Sequence, residues 1–382
     1  MRADRPAPDT AFAVRPWIDA LGGFIERRKR LWIRLGDLET RALSETLADL
    51  AIEAPIYIAG LARSGSTILL EVLAQHRDTA SHRYRDYPPV FTPFFWNWFL
   101  DRVPGRKAPA VERTHSDGIA VTPESPEAFE EMLWTAFFPR LHDPAISAVL
   151  DGRARNAPFE RFYRDHIRKL LHVRGGRRYL AKGNYNLARL EYVLKLFPDA
   201  RFVIPVRQPM WHIASLMKQH ALFCAGERRH PAALGHMRRV GHFEFGLDRR
   251  PINAGDDGAI AAILAAWERG EEVEGWARYW AHLHAYVADR LDANPRLRDA
   301  AMVVRFEDLC RAPREAIRAV VAHCRLPAPE ELVDRLAERI RIPAYYAPHF
   351  TPAERATIAR WTDATAARFG YGESVALAAS GR

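Results

Sequence analysis

The segment Pro55-Ile56-Tyr57-Ile58-Ala59-Gly60-Leu61-Ala62-Arg63-Ser64-Gly65-Ser66-Thr67-Ile68-Leu69-Leu70 constrains this chain more than any other. A short apolar run reads as a strand. A loop bracketed by Gly60 and Gly65 follows, and the loop opens onto a helical pattern. This is the build of an anion cradle: glycines let the backbone pass close to a phosphate, and the N–H groups of the loop and helix start point at it. The Gly60-x4-Gly65 spacing matches a P-loop, but Ser66 stands where a P-loop ATPase carries Lys, and the nearest cation comes earlier, at Arg63. The displaced cation points to a phosphate-bearing donor other than ordinary ATP with magnesium.

From Pro55 onward strand and helix patterns alternate. Ile56 to Ala59 reads as a strand and Thr67 to Gln75 as a helix. Arg178 to Lys182 reads as a strand followed by a helix from Leu187 to Phe197. Arg201 to Val206 reads as a strand, with Pro205 expected at its end, followed by a helix from Met210 to about Gln219. Ala301 to Phe306 is a further strand, before a helix from Pro313 to Cys324. Strands separated by helices predict an α/β fold, a P-loop-like parallel sheet flanked by helices, with ligands gathered at the carboxyl ends of the strands.

Two stretches interrupt the alternation and read as insertions, 85–150 with its aromatic cluster at 91–99, and 222–275. Residues 1–50 read as an amphipathic helical arm lying on the core or on a partner. The α/β domain then covers 51–327, and 328–382 forms a C-terminal helical extension broken by Pro343 and Pro348.

The net charge of +9 comes mostly from arginines spread along all 382 residues. No Lys-rich tail or RNA-binding signature accompanies it, so a small polyanion accounts for the charge at least as well as nucleic acid does, and no nucleic-acid partner is expected. No apolar run approaches the roughly 18 residues a membrane helix needs, which predicts no stable membrane insertion. The start, Met1-Arg2-Ala3-Asp4-Arg5-Pro6, lacks the apolar stretch of a secretory leader and predicts a cytoplasmic protein. Cys224, Cys310 and Cys324 fit no metal or redox spacing. His236, His242, Glu244 and Asp248 fit no compact zinc motif and read as loop residues near an acceptor site, so no metal is expected.

A second segment, Arg201 to Lys218, places Arg207 at a strand end and Ser215 eight residues later, about two helical turns on. Such a pair can grip one phosphate from two sides. Arg63-Ser64-Gly65-Ser66-Thr67 together with Arg207 and Ser215 resembles the two nucleotide motifs of the PAPS-dependent sulfotransferases, the bacterial and the carbohydrate- or protein-modifying branches above all (PAPS is 3′-phosphoadenosine 5′-phosphosulfate). Phe197-Pro198-Asp199-Ala200-Arg201-Phe202 and Arg305-Phe306-Glu307-Asp308-Leu309 also resemble family segments, so the likeness runs from about Pro55 to Pro327.

The resemblance implies transfer of a sulfuryl group from PAPS to an acceptor hydroxyl on a sugar, lipid or small molecule by in-line displacement. Arg63, Ser64, Gly65, Ser66 and Thr67 would hold the 5′-phosphosulfate, and Arg207 and Ser215 the 3′-phosphate. Phe306 aligns with an aromatic position near the adenine, or is a buried strand residue. Lys182, at a strand end, matches the family's catalytic Lys and would share with Arg63 the charge growing on the leaving phosphate; the alternative is a solvated strand end. Where many cytosolic members carry a His two residues after this Lys, this chain has Asn184, which accepts no proton. The general base is therefore sought at Asp86 or His82, with an ion pair from Asp86 to Arg83 or Arg85 as the other reading. The competing functions are a P-loop kinase or NTPase and a catalytically degenerate nucleotide-binding protein.

Overall fold

The computed structural model describes residues 11–103, 110–112, 119–340 and 348–372. Five parallel strands form the central sheet: β1 (Ile56–Ile58), β2 (Thr79–Ala80), β3 (Arg178–Lys182), β4 (Arg201–Val206) and β5 (Ala301–Arg305). Their spatial order is β2-β3-β1-β4-β5. Residues 111–112 and 120–121 make a separate two-stranded antiparallel ladder. In the central sheet Ile58 pairs with Lys182 on one side and Val203 on the other, and Val206 pairs with Arg305. The connection leaving β1 runs to one side of the sheet and that leaving β3 to the other. β1 therefore sits at a reversal of strand order, where a crevice opens beyond the strands' carboxyl ends.

Both faces of the sheet are covered, which is why the strand sequences are apolar throughout rather than alternating. Ile56, Ile58 and Val203 pack with Leu69, Leu73, Ile317 and Val320 on one face. Tyr57, Phe202 and Ile204 pack with Tyr163, Ile167 and Ile213 on the other. Pro205 lies inside β4, opposite Val304 of β5, rather than at its end. The sheet tolerates it because β1 stops level with Val203, so the missing N–H faces no strand on that side.

The helices differ in extent from the sequence reading. The helix after β1 runs Ser66–Leu73. A 3₁₀ turn at Asn184–Ala188 precedes the helix Leu190–Leu196. The helix expected to stop near Gln219 continues from Pro209 to Arg229. The two expected insertions hold regular structure, including the helices Pro93–Leu100, Glu130–Phe137, Pro231–Val240 and Asp257–Glu268. Beyond Glu330 the helices Glu330–Ala337 and Pro352–Ala367 are present; Pro343 lies outside the described residues.

The N-terminal helices Pro16–Arg27 and Lys29–Ala42 are docked on the domain. Lys169, on the helix Ala157–Arg174, pairs with Glu39 at 2.9 Å, with both side chains fully buried. The Lys169 ammonium also donates to the Gly36 carbonyl at 2.9 Å, and Glu39 accepts from the Phe95 N–H at 2.6 Å. Gly36 has no room for a side chain: a Cβ there would stand 2.7 Å from Phe162 and from the Phe91 carbonyl oxygen. Among the described residues no helix is long and apolar enough to cross a membrane.

Candidate active site

The loop after β1 is shaped by two glycines and one strained residue. A Cβ at Gly60 would stand 2.7 Å from Pro205 Cγ and 2.9 Å from the Pro205 carbonyl oxygen, so only glycine lets β1 turn out beside β4. Gly65, at φ +99°, caps the helix Ser66–Leu73, and a Cβ there would meet the Phe306 ring at 2.6 Å. Arg63 also sits at positive φ, +70°, a conformation that costs a non-glycine residue about 1 kcal/mol or more and persists only when its surroundings impose it.

Those surroundings include the second predicted motif. Arg63 Nε donates to Ser215 Oγ at 3.3 Å, and Arg207 Nη1 donates to the Arg63 carbonyl at 3.4 Å. Two segments about 150 residues apart thus meet over the ends of β1 and β4. Arg207 is buried, and its guanidinium carbon stands 4.9 Å from the centre of the Phe306 ring. Ser64, Ser66 and Ser215 are buried beside it. The Ser64 hydroxyl and Arg207 Nε have no hydrogen-bond partner within the protein. Buried polar groups are rarely left so. Together with the glycine-lined turn and the helix N-terminus, they fit an anionic group that accepts hydrogen bonds.

Two supports of this loop were not foreseen. Trp280 Nε1–H donates to His212 Nδ1 at 3.1 Å, which leaves the imidazole proton on Nε2. That Nε2–H donates to the Ala62 carbonyl at 2.8 Å. Burial above all, with Arg207 and Arg63 nearby, holds the His212 pKa well below the usual histidine range, so the ring stays neutral. The available signal was its place three residues before Ser215, on the same helical face. The second support is Glu307. It accepts from the Gln208 N–H at 3.1 Å and from the Tyr371 hydroxyl at 2.6 Å, and so ties β4 and β5 to the C-terminal segment. Asp308 pairs with Arg305 and Arg311.

Residues 55–243 match the model of the sulfotransferase family. That segment belongs to the sulfotransferase family. Among solved structures, the chain is similar to a sulfotransferase from Mycobacterium tuberculosis (16% identity over 89% of this chain and 86% of that one, TM-score 0.46). It is also similar to one from Mycobacterium avium (17%, 85% and 80%, TM-score 0.47) and one from Alicyclobacillus acidocaldarius (15%, 83% and 94%, TM-score 0.40). No curated protein matches the chain.

Within the sulfotransferase fold Lys182 ends β3 level with Ile58, and the next N–H, of Gly183, donates to the Ile58 carbonyl at 3.0 Å. Lys182 and the Gly60–Gly65 loop therefore leave the sheet side by side. Phe306 begins the helix Phe306–Arg311 rather than ending a strand.

Asp86 and His82 lie elsewhere, in a buried polar cluster. Asp86 accepts from the Arg83 N–H at 2.9 Å, from Asn97 Nδ2 at 2.9 Å and from Arg174. His82 Nδ1 stands 3.4 Å from it, and His82 Nε2 is 3.1 Å from Nε2 of the buried His166. Burial alone would raise the Asp86 pKa, but the His82 hydrogen bond and the Arg174 charge hold it far below the usual carboxylate range. A carboxylate so saturated is a poor proton acceptor. The predicted partners Arg83 and Arg85 instead pair with Glu124 at 2.6 and 3.0 Å, and Arg85 also with Asp101. The geometry prefers Arg174 because it projects from a core helix into the same buried space.

Asn184, just past Lys182, has a carboxylate partner. Its Nδ2 donates to Glu244 Oε1 at 2.5 Å, and both residues are buried. His242 Nδ1 lies 3.3 Å from Glu244 Oε2. Asn184 Oδ1 and Glu244 Oε2 have no hydrogen-bond partner within the protein. His236, by contrast, turns to Tyr87 at 3.2 Å, and Asp248 pairs with Arg238 and Arg250. Among the described residues no group of three or more His, Cys, Asp or Glu side chains could hold a metal ion.

Proposed function

We propose that the protein transfers a sulfuryl group from PAPS to an acceptor hydroxyl. The observation that carries this reading is the contact of the two anion-binding segments, Arg63 with Ser215 and Arg207 with the Arg63 carbonyl, at the carboxyl ends of adjacent strands. A donor with phosphate groups at both ends of a ribose suits two such segments. The loop amides, Arg63, Ser64, Ser66 and Thr67 would bind the 5′-phosphosulfate. Arg207 and Ser215 would bind the 3′-phosphate, with the adenine near Phe306. Ser66 at the position of the P-loop lysine disfavours the kinase reading.

The acceptor oxygen attacks sulfur as the bond from sulfur to the 5′-phosphate oxygen breaks, and that oxygen leaves with the electron pair. Lys182 and Arg63 would stabilise its charge. The acceptor's proton needs a base, and the Asn184–Glu244 pair supports Glu244 over the saturated Asp86. Asn184 orients Oε1, and Oε2, with His242 Nδ1 3.3 Å away, is the oxygen that would take the proton.

Titration calorimetry with adenosine 3′,5′-bisphosphate tests the donor assignment. Binding is expected, weakened at least tenfold by Arg207→Ala; equal affinity for AMP overturns it. Labelled PAPS offered to an extract of the host tests the base. Glu244→Gln is expected to bind the bisphosphate normally and to lose transfer at least a hundredfold, whereas Glu244→Gln with full transfer and an unchanged pH profile overturns that role.

A further inference from the structure

The docked N-terminal helices present large apolar side chains that no described residue covers. Trp17, Phe24, Leu31 and Leu38 are 51%, 44%, 43% and 48% exposed. Trp17 and Phe24 stand seven residues apart on Pro16–Arg27, and Leu31 and Leu38 seven apart on Lys29–Ala42, so each pair shares one face of its helix. Backbone bonds from the Arg28 N–H to the Phe24 carbonyl and from the Trp32 N–H to the Arg28 carbonyl join the two helices across Arg28, whose φ of −122° and ψ of 33° bend the path there. Three residues after Phe24, Leu31 and Leu38 stand Arg27, Arg34 and Arg41, all exposed, and residues three apart on a helix are surface neighbours. Arg28 and Arg30 are exposed as well; among the acids between residues 16 and 42, Glu26 is exposed and the Asp19 side chain, paired with Arg239, is 42% exposed. A second apolar edge adjoins the first. Glu39, next to Leu38, accepts from the Phe95 N–H, and Phe95, Trp98 and Phe99 are exposed on one face of Pro93–Leu100, with Arg102 stacked on Trp98 at 4.0 Å.

We infer that this face docks peripherally on an anionic lipid surface. Apolar and aromatic side chains bordered by arginines match the boundary between acyl chains and acidic headgroups, where arginine stems lie along apolar surface and the guanidinium groups reach phosphate. The charge pattern selects this occupant over a second copy of the chain. Self-pairing along these helices would set one arginine row against another, with Glu26 and the Asp19 side chain, itself paired with Arg239, to offset it. The inference is independent of the donor assignment, since none of these residues belongs to the sulfuryl-transfer site.

Vesicle flotation of the full chain tests it. Wild-type protein is expected to float with vesicles of phosphatidylcholine and phosphatidylglycerol, to float at least tenfold less with phosphatidylcholine alone, and to be released as salt rises to about 0.5 M. The doubles Phe24→Ser/Leu31→Ser and Arg27→Glu/Arg34→Glu are each expected to lower binding about tenfold or more. Because all four side chains are exposed, the melting temperature and bisphosphate affinity should stay at wild-type values. Failure to float with anionic vesicles at low salt overturns the inference. So does a stable dimer in light scattering that Phe24→Ser/Leu31→Ser converts to monomer.

Discussion

His212 donates its Nε2–H to the carbonyl oxygen of Ala62 across 2.8 Å, from a helix 150 residues away in sequence. The bond fixes the loop residue immediately before Arg63, and Trp280 fixes the histidine. The proposed donor site is therefore held from behind by a buried, neutral chain of hydrogen bonds. His212→Phe keeps the ring volume but leaves the Trp280 N–H and the Ala62 carbonyl unsatisfied. A buried loss of this kind costs about 1–3 kcal/mol. Bisphosphate affinity should fall about tenfold, read by calorimetry, while Arg207 and Ser215 are untouched.

Gly65→Ala tests the loop's shape. The new Cβ would meet the Phe306 ring at 2.6 Å in a backbone conformation with φ of +99°. Strain of about 1–2 kcal/mol is expected from the backbone alone, and displacement of Phe306 would disturb the cation–π contact with Arg207. Bisphosphate binding should weaken more than tenfold. Gly152→Ala, where a Cβ meets nothing within 4 Å, is the control and should bind as wild type.

Asp86→Asn should act on stability rather than on donor binding. It would leave the Arg174 guanidinium, 4% exposed, without its carboxylate. Removing one partner of a buried ion pair costs about 3–5 kcal/mol. Urea denaturation should show that loss, and the double Asp86→Asn/Arg174→Met should recover part of it. An Asp86→Asn protein of full stability that has lost only sulfuryl transfer would restore Asp86 as the base.

Acid should destabilise the fold well before carboxylates titrate. Burial lowers the pKa of His284 and of His236 to about 4 from the usual 6.5. For both, the unfolded chain binds more protons than the folded one, so stability is fully present above pH 6.5 and drains as pH falls toward 4. Glu130, whose pKa burial raises, works in the opposite direction. A further loss follows nearer pH 2, where Glu131 titrates; burial opposes its ionisation, but Arg189 and His142 hold its pKa down to about 2. Melting temperature against pH should drop by several degrees between 6.5 and 4, and His284→Phe should flatten that slope.

Four of the five strands of the sheet, all but the two-residue Thr79–Ala80, and the two segments that meet at Arg63 and Ser215 were legible because their signals are local. Apolar runs such as Arg178–Lys182 and Arg201–Val206 can only be buried strands, and Gly60 and Gly65 bracket a turn whatever surrounds it. Element ends were less legible. Pro205 suggested a strand end, yet β4 contains it because its neighbour β1 stops first. The Gly, His and Arg content after residue 222 suggested an irregular insertion, yet the helix begun at Pro209 runs to Arg229, since Ala221, Leu222, Ala225, Glu227, Arg228 and Arg229 are good helix formers and Phe223 packs against Phe12 and Phe245.

By itself, then, the sequence determined a strand, a glycine loop with Arg63 as its cation, and an arginine eight residues before a serine. These follow from backbone sterics and helical spacing within a few residues. Only the tertiary structure decided which partners the charged groups meet. Asp86 meets Arg174, 88 residues away, while Glu244 is brought to Asn184 across 60 residues and Ser215 to Arg63 across 152. A carboxylate's basicity depends on the charges and solvent around it, and those neighbours exist only once the chain has folded.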